Sequence, residues 1–590
     1  MKRHRSWGPL TYEDGSMSFS LWAPALSSLS VDIDGRVFPM EDRGGGWFSS
    51  KRIHVPEGTT YMFVLPDDTR LPDPASRYQE AGVFGPSRFL SSEGFGWMHQ
   101  DWKGRPWEEA VVYEIHVGTF TKEGTFLAAI DHLARLSELG FTAVEIMPLA
   151  QFPGQRGWGY DGVFQYAPHA AYGSPHDFRR LIDAAHSHGL MVFLDVVYNH
   201  FGPEGNFLPL YAPQFFRKDD PTPWGDKIDF RQQPVRRFFT DNVLYWLDEF
   251  RLDGLRLDAI DQIEDDGEIH ILEEISEAVR ESFCDRHVHL ITENPANGSD
   301  LLADVGGGRR LFVADWNDDF HHALHVAVTG EDVGYYAPFS EDPWQQVKKT
   351  LAEGYLREGK ASLRARNAPL SASLPPTAFV HFLQNHDQVG NRARGDRLNT
   401  ILDERCHWVL TEILALSPQI PLFFMGDDHL STRAFQFFSD YDGELAKAVA
   451  DNRPKEAENF GGFRNGSGPE DISDPNDVKT FIRSQLEWDD AEAADGVAWG
   501  AFLKLLLHVR RTVVVPLLAD AKGNAGTVVK SEPDAVFVDW SFGGQVLRLR
   551  ANPSEHVRRL DGDLGRLVYP TEREVLPGIL EPWSTHLYIG

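Results

Sequence analysis

Cysteine is scarce in this chain, which contains only Cys284 and Cys406 among 590 residues. Two cysteines in a protein of this length exclude a framework of disulfide bonds. Long apolar runs are also lacking: the sequence has no stretch of about eighteen apolar residues, the length that a membrane-spanning helix needs. The basic start, MKRHRSWGPL, has no apolar segment typical of a signal peptide. We therefore expect a cytoplasmic protein that does not bind a membrane.

Positive charge is in short supply, because 57 Lys and Arg face 88 Asp and Glu and leave a formal net charge of −31. Such an acidic surface repels nucleic acid and anionic lipid, so we expect neither as a partner. A neutral ligand is compatible with it. Aromatic residues make up 12% of the chain, and their faces pack well against sugar rings, although a large core uses them too. The sequence does not determine the oligomeric state.

The apolar segments predict three regions. Short β segments separated by turns over residues 1–105 indicate an N-terminal β-sandwich of the carbohydrate-binding type, and residues 517–590 indicate a C-terminal all-β domain. Between them, residues 106–516 alternate strands with amphipathic helices, which predicts a (β/α)8 TIM barrel with insertions. A doubly wound nucleotide-binding sheet is disfavoured, because no glycine-rich loop follows the first strand. The eight predicted strands are 111–117, 143–147, 190–197, 255–257, 287–292, 311–314, 379–384 and 420–425.

The stretch around the fourth predicted strand combines a glycine, an arginine and an aspartate. We expect Gly254 to end the preceding helix and let the chain turn. Arg256 and Asp258 lie two residues apart, so their side chains point to the same face of a strand. There the guanidinium can keep the carboxylate ionised and oriented. Taken alone, this peptide is equally typical of a structural ion pair.

Carboxylates and histidines follow four of the predicted strands. His200 follows the third, Asp258 the fourth, Glu293 the fifth, and His386 with Asp387 the seventh. Because the carboxyl ends of barrel strands form one mouth, we expect these side chains to converge there. Two carboxyl groups on neighbouring strands suit glycoside hydrolysis, in which one is ionised and the other protonated. Neighbouring strands lie about 5 Å apart, which favours a retaining mechanism.

These four segments resemble the signature regions of the α-amylase family, in the same order and on the corresponding strands. The resemblance implies that Asp258 is the nucleophile, Glu293 the general acid/base and Asp387 the stabiliser of the transition state. It implies no cofactor, and we predict no bound metal. The predicted substrate-binding residues are Tyr160, His200, Trp224, Arg256, Asp261, Asp318, Asp319, His322, His386 and Asn391.

Longer segments narrow the resemblance to the maltooligosyltrehalose trehalohydrolases within that family. They are residues 112–121, 203–208 and 223–226 and, above all, residues 316–325, which read WNDDFHHALH. This resemblance implies cleavage of the α-1,4 bond next to the terminal trehalose of a maltooligosyl chain, a reaction of trehalose biosynthesis. The expected partner is therefore maltooligosyltrehalose or a related α-glucan. Trp224, Asp318, Asp319 and His322 are the candidates for a trehalose pocket.

Two alternatives remain open. A glycogen branching or debranching enzyme shares the sandwich, the barrel and the three carboxylates, and differs in which acceptor reaches the covalent intermediate. A non-catalytic glucan-binding protein could keep the barrel, but binding alone requires neither an acid nor a nucleophile. One departure from the family pattern concerns the eighth strand, where Asp427 follows Gly426 in place of the more usual Glu or Gln.

Overall fold

The centre of the molecule is a closed barrel of eight parallel strands. The structure is a computed structural model that describes residues 6–91, 94–222, 225–306, 310–359, 369–463, 467–571 and 575–590. The barrel strands are β1 (Val112–Ile115), β2 (Ala143–Ile146), β3 (Met191–Val196), β4 (Gly254–Leu257), β5 (His289–Glu293), β6 (Ala314–Trp316), β7 (Phe379–Phe382) and β8 (Ile420–Phe424). Each strand pairs with the next, and β8 pairs with β1. The predicted TIM barrel is confirmed.

Helices cover the outside of the barrel. The longer ones are α1 (Leu133–Leu139), α2 (Pro175–Ser187), α3 (Gln233–Glu249), α4 (Ile271–Ser282), α5 (Asp318–Thr329), α6 (Pro343–Glu353), α7 (Glu404–Leu416), α8 (Gly443–Asn459) and α9 (Ala494–Val509). The connection from β5 to β6 differs, because its described part contains only the single turn Asp300–Leu302. Among the described residues, no helix is both long and apolar enough to span a membrane.

Short antiparallel sheets flank the barrel in sequence. Before it lie a two-stranded, a three-stranded and a five-stranded sheet, and after it a five-stranded and a two-stranded sheet. The boundaries at residues 105 and 517 stay predictions. The strands before the barrel are Leu10–Thr11, Met17–Ser18, Ser20–Trp22, Ser30–Ile33, Arg36–Pro39, Glu41–Gly44, Trp47–Ser49, Thr60–Val64, Arg70–Leu71 and Ser87–Arg88. Those after it are Gly526–Val528, Val536–Phe542, Gln545–Asn552, Arg558–Arg559, Arg566–Tyr569, Ile579–Leu580 and Ser584–Ile589.

The side chains inside the barrel change character along the strands. Near the start of the strands they are apolar and buried, and Trp107 packs beneath them. Two residues further on, the same strand faces carry acids and one arginine, all buried: Glu114, Glu145, Asp195 and Arg256. The lower, apolar half therefore fixes the strands that position the upper, charged half. The residues of the lower half are Val112, Ala143, Met191, Phe193, Ile291, Ala314, Val380, Ile420 and Leu422.

The sixth strand lies later in the chain than predicted. The prediction of residues 311–314 is wrong, because the strand is Ala314–Trp316. Asp315 lies within this strand. Its carboxyl group is buried and accepts hydrogen bonds from Thr292 Oγ1 at 2.5 Å and from the Tyr355 hydroxyl at 2.6 Å. Burial raises the pKa of Asp315 to about 8, although these two donors limit the rise, and they satisfy its oxygens in place of water.

Gly254 also has a role different from the predicted one. The preceding helix ends at Glu249, and Gly254 is the first residue of β4. The left-handed residue of this turn is Arg251, with φ 56°. A Cβ atom on Gly254 would lie 2.4 Å from the carbonyl oxygen of His289 on β5. The glycine is therefore needed for close packing between neighbouring strands.

Candidate active site

Arg256 is the centre of the charged half of the barrel, and it is fully buried. Its Nη1 lies 3.1 Å from Asp258 Oδ1 and also donates to the carboxylate of Asp195. Its Nη2 lies 2.8 Å from Glu293 Oε2. The guanidinium carbon lies 4.3 Å from the centre of the Trp316 ring, which covers one of its faces. A single cation thus gathers the carboxyl groups of Asp258 and Glu293 at one place.

The local structure explains why these two carboxyl groups meet. In the parallel pair of β4 and β5, Leu257 lies opposite Thr292, so the next residues, Asp258 and Glu293, emerge side by side at the strand ends. Asn199 Nδ2, from the end of β3, donates to Asp258 Oδ2 at 2.9 Å. The backbone N–H that follows Asp258 donates to Glu293 Oε2 at 2.9 Å. Both carboxyl groups are therefore fixed by donors besides the arginine.

Burial raises the pKa of both carboxyl groups of the pair. It raises the pKa of Asp258 to about 6, because a carboxylate loses hydration there, while Arg256 limits the rise. It raises the pKa of Glu293 to about 7, again against the effect of Arg256 and with the help of the charge on Asp258. Near neutral pH, the arrangement favours an ionised Asp258 beside a protonated Glu293. That is the division of roles that glycoside hydrolysis requires.

A second buried cation, His386, lies beside this cluster. Although burial alone would lower its pKa, the carboxylates of Glu114 and Asp387 raise the pKa of His386 to about 9. Its Nδ1 donates to Glu114, and its Nε2 lies 2.8 Å from the hydroxyl of Tyr160. Tyr160 donates to Asp195 Oδ2 at 2.8 Å, and its ring stacks on the imidazole with centres 5.3 Å apart. The charged imidazole therefore continues the network that starts at Arg256.

Asp387 is the most open of the three predicted catalytic carboxyl groups. Its side chain is 40% exposed, against 13% for Asp258 and for Glu293. Asp387 Oδ2 lies 3.6 Å from His386 Nε2. The structure thus brings the predicted trio together around two buried cations. The chemical role of each stays a prediction.

The other predicted binding residues on the barrel loops differ in their surroundings. His200 is buried, its Nε2 lies 3.0 Å from the carbonyl oxygen of Tyr160, and burial lowers its pKa, so the ring is neutral. Asn391 is buried and accepts a hydrogen bond from Arg453 at 3.3 Å. Asp261 is exposed on a short turn after β4. Trp224 lies outside the described residues.

Helix α5 begins at the predicted trehalose residues. Burial, with the nearby charges of Glu293 and Asp387, raises the pKa of Asp318 well above its usual range. Asp319 has a different environment, since its Oδ2 accepts hydrogen bonds from the Leu356 backbone at 2.7 Å and from Asn297 Nδ2 at 3.1 Å. Asp318 therefore lies near the catalytic carboxyl groups, whereas Asp319 ties two loops together.

His322, one turn further along α5, packs among aromatic rings. Its ring centre lies 4.6 Å from that of Tyr335 and 5.1 Å from that of Phe339. Burial lowers the pKa of His322 to about 3, so the ring is neutral. Tyr335 is half-buried, and burial, its contact with Tyr336 and, to a smaller extent, the charges of Asp387 and Asp318 raise the pKa of its hydroxyl. Tyr335 was not among the predicted site residues, because an aromatic residue after a helix gives no distinct signal.

Two further acids were missed by the sequence reasoning. Glu114, on β1, pairs with His386, and Glu145 lies beside it in register on β2. Glu145 is buried, and neither carboxyl oxygen has a hydrogen-bond partner among the described residues. Burial raises the pKa of Glu145 well above its usual range, so this group is neutral. An acid inside an otherwise apolar strand was the signal available for both.

The absence of a bound metal stays a prediction. No group of three or more His, Cys, Asp or Glu side chains there is arranged to hold a metal ion. The arrangement of Asp258, Glu293 and Asp387 suits acid/base and nucleophilic chemistry.

Comparison with known proteins places the chain among glycosidases. The profile of the alpha amylase catalytic domain matches residues 83–210. A malto-oligosyltrehalose trehalohydrolase of Deinococcus radiodurans is 41% identical over 498 residues, which cover 84% of this chain and 80% of that protein. A crystal structure from Salmonella typhimurium, provisionally assigned as an alpha amylase, is 45% identical, with a TM-score of 0.93 over 99% of this chain and 100% of that one.

The alternative of a branching enzyme has a weaker match. A 1,4-alpha-glucan branching enzyme of Thiobacillus denitrificans is 34% identical over 288 residues, or 41% of this chain and 37% of that protein. The match to the relative from Deinococcus radiodurans covers about twice as much of each protein, 84% and 80%, at 41% identity. By its similarity over most of both chains, and with the eight-stranded barrel and its carboxyl pair in place, this chain belongs to the malto-oligosyltrehalose trehalohydrolase family within the alpha amylases.

Proposed function

We propose that this protein hydrolyses the α-1,4 bond next to the terminal trehalose of malto-oligosyltrehalose, releasing trehalose and a shorter maltooligosaccharide. One observation carries the proposal: the two ends of the Arg256 guanidinium contact Asp258 and Glu293, at 3.1 and 2.8 Å. Two carboxyl groups held at one cation are close together, as a retaining mechanism requires. Their unequal pKa values support unequal roles. The names of the relatives supply the substrate.

In the first step, Asp258 is the nucleophile. Its ionised oxygen attacks the anomeric carbon of the glucosyl unit, while Glu293 gives its proton to the glycosidic oxygen of the departing trehalose. The C–O bond to trehalose breaks, and an ester between the glucan and Asp258 forms. Asp387 faces the positive charge that develops on the sugar ring in the transition state. Its larger exposure fits a group that contacts the substrate directly.

In the second step, water replaces trehalose. Glu293, now ionised, takes a proton from the water, whose oxygen attacks the anomeric carbon and breaks the ester with Asp258. Asp258 returns to its ionised form, and Glu293 regains its proton. Two inversions leave the new reducing end in the α configuration. Arg256 and Asn199 stabilise the carboxylate of Asp258 each time it is free.

Since trehalose is the leaving group, we assign it to the side of the cleft where helix α5 begins. Asp318, the neutral ring of His322 and the half-buried Tyr335 would provide polar groups and an aromatic wall for a compact, hydroxyl-rich disaccharide. Asp319 acts there through the two loops that it joins. Trp224 remains a prediction from the sequence.

The test is product analysis with malto-oligosyltrehalose beside a plain maltooligosaccharide of equal length. We expect free trehalose from the first substrate, at a much higher kcat/KM than for any cleavage of the second. Asp258→Asn provides the matched inactive control. Products longer than the substrate would indicate a branching enzyme instead. Equal cleavage of both substrates would show that the enzyme does not recognise the trehalose unit.

A further inference from the structure

Phe84 is an exposed aromatic residue on a turn whose backbone is fixed from both sides. Its side chain is 61% exposed. The fully buried amide of Gln79 donates to the carbonyl oxygens of Gly82 at 3.0 Å and Gly85 at 3.2 Å, so it closes the turn from inside. The neighbouring residue Val83 is buried. The turn therefore presents the phenyl ring to solvent on a rigid support, although burial of its apolar surface would be favourable.

The same turn is locked onto a loop of the barrel. A Cβ atom on Gly205 would lie 2.6 Å from Val83 Cβ and 3.3 Å from Val163, so this loop and the turn are in close contact. Two residues later, the half-buried Phe207 meets Phe84, with ring centres 6.0 Å apart at an angle of 69°. The edge-to-face contact leaves a face of Phe84 accessible. Two rings from distant parts of the chain thus form one platform.

One loop joins this platform to the catalytic site. The loop that carries Phe207 starts at His200, which contacts Tyr160 beside the carboxyl pair. At Gly202 the loop lies against the backbone of Asp161, where an added Cβ would be 2.0 Å from the carbonyl oxygen. The loop thus follows the segment from residue 160 to Val163, away from the cleft. Its far end is the aromatic pair.

From this geometry we infer that Phe84 and Phe207 form a remote subsite that stacks on a glucosyl unit of the substrate's maltooligosyl arm. The inference rests on the proposed function for the identity of the glucan. The trehalose arm ends after two sugar units at the catalytic centre, whereas the maltooligosyl arm has variable length and can reach a distant rim. Sugar rings present C–H faces that pack on exposed aromatic rings such as that of Phe84.

The experiment compares malto-oligosyltrehaloses of increasing length with wild type, Phe84→Leu and Phe84→Trp. Loss of one stacking ring should lower kcat/KM by about three- to tenfold on the long substrates. The shortest substrate, which cannot reach the platform, should be unaffected. Phe84→Leu keeps an apolar side chain without an aromatic face, and Phe84→Trp should retain the long-chain preference. Equal losses at every length, or none at any length, would overturn the subsite.

Direct binding separates this inference from the proposed function. Calorimetric titration of the inactive Asp258→Asn protein with maltoheptaose needs no trehalose in the ligand. We expect weaker binding when Phe84→Leu is added, and unchanged binding of maltose. If the enzyme failed to release trehalose but this difference appeared, the subsite would stand without the proposed reaction. If trehalose were released and the difference were absent, only the subsite would be refuted.

Discussion

The two halves of the barrel interior are made by the same strands but have opposite effects on the stability of the fold. On β1, Val112 belongs to the apolar lower half and Glu114 to the charged upper half, and on β3 the corresponding residues are Phe193 and Asp195. Apolar burial stabilises the fold, whereas buried charges lose hydration that their partners replace only in part. The lower half therefore gives a rigid frame, and the upper half uses that rigidity to hold carboxyl groups in unfavourable surroundings.

The rigid lower half explains how catalytic carboxyl groups can lie buried at the upper ends of the strands. Asp258 and Glu293 have raised pKa values because they are buried with few ions of opposite sign, mainly Arg256. A solvated pair of carboxyl groups would ionise together at neutral pH. Without the close-packed lower half beneath it, the upper half would become hydrated, and the pKa values of both carboxyl groups would fall toward their ordinary range.

The largest expected effect concerns the catalytic pair itself. Asp258→Asn removes the nucleophile, and Glu293→Gln removes the proton donor, so kcat should fall by about two to four orders of magnitude for each. The measurement is kcat with malto-oligosyltrehalose, with circular dichroism to establish that both variants remain folded. Hydrolysis by Asp258→Asn at the wild-type rate would refute its assignment as nucleophile.

A substitution in the lower half should reduce stability and leave activity unchanged. Phe193→Ala leaves a cavity beneath the charged layer and should reduce the free energy of unfolding by about 3–5 kcal/mol. Activity per folded molecule at low temperature should stay near that of wild type. Phe193→Leu is the milder control. If Phe193→Ala kept its stability but lost kcat, the two halves would not be separable as described.

The pH profile tests the unequal protonation of the pair. Activity requires an ionised Asp258 and a protonated Glu293, so it should fall below pH about 6 and above pH about 7. A glucosyl fluoride substrate, whose leaving group needs no proton, should lose the alkaline decline in the first step while keeping the acidic one. An unchanged alkaline decline with the fluoride would mean that Glu293 is not the proton donor.

The smallest expected effect is that of Glu145→Gln. Because Glu145 is buried and neutral, an amide of the same shape should change the free energy of unfolding by less than about 1 kcal/mol and leave kcat near that of wild type. Asp195→Asn is the matched control, since it removes a charge that faces Arg256 and should cost about 3–5 kcal/mol. Similar losses for both variants would show that Glu145 is ionised.

The sequence predicted the frame better than the charged layer. Alternation of apolar strands with helices was enough for the barrel, and the positions of Asp258, Glu293 and Asp387 followed from strand ends. The sixth strand was misplaced, because Asp315 interrupts the apolar pattern although Thr292 and Tyr355 compensate for its burial. Such partners come from distant parts of the chain, and a local pattern cannot indicate them.

The same reason explains the missed residues of the site. The partner that gives Glu114 its role is His386, which lies 272 positions away in the chain. The separation of Asp318 from Asp319 was equally hidden, because adjacent residues at the start of a helix point in different directions and meet different loops. Sequence patterns therefore identify side chains that end strands, while partners across the barrel require the fold.

The most direct test of the central claim is proton NMR of a fresh reaction with malto-oligosyltrehalose. If Asp258 forms a covalent intermediate that Glu293 then hydrolyses, free trehalose should appear together with a new reducing end that is initially the α-anomer. The β-anomer should grow only later, by mutarotation. Initial appearance of the β-anomer would mean a single displacement by water and would contradict the roles assigned to both carboxyl groups.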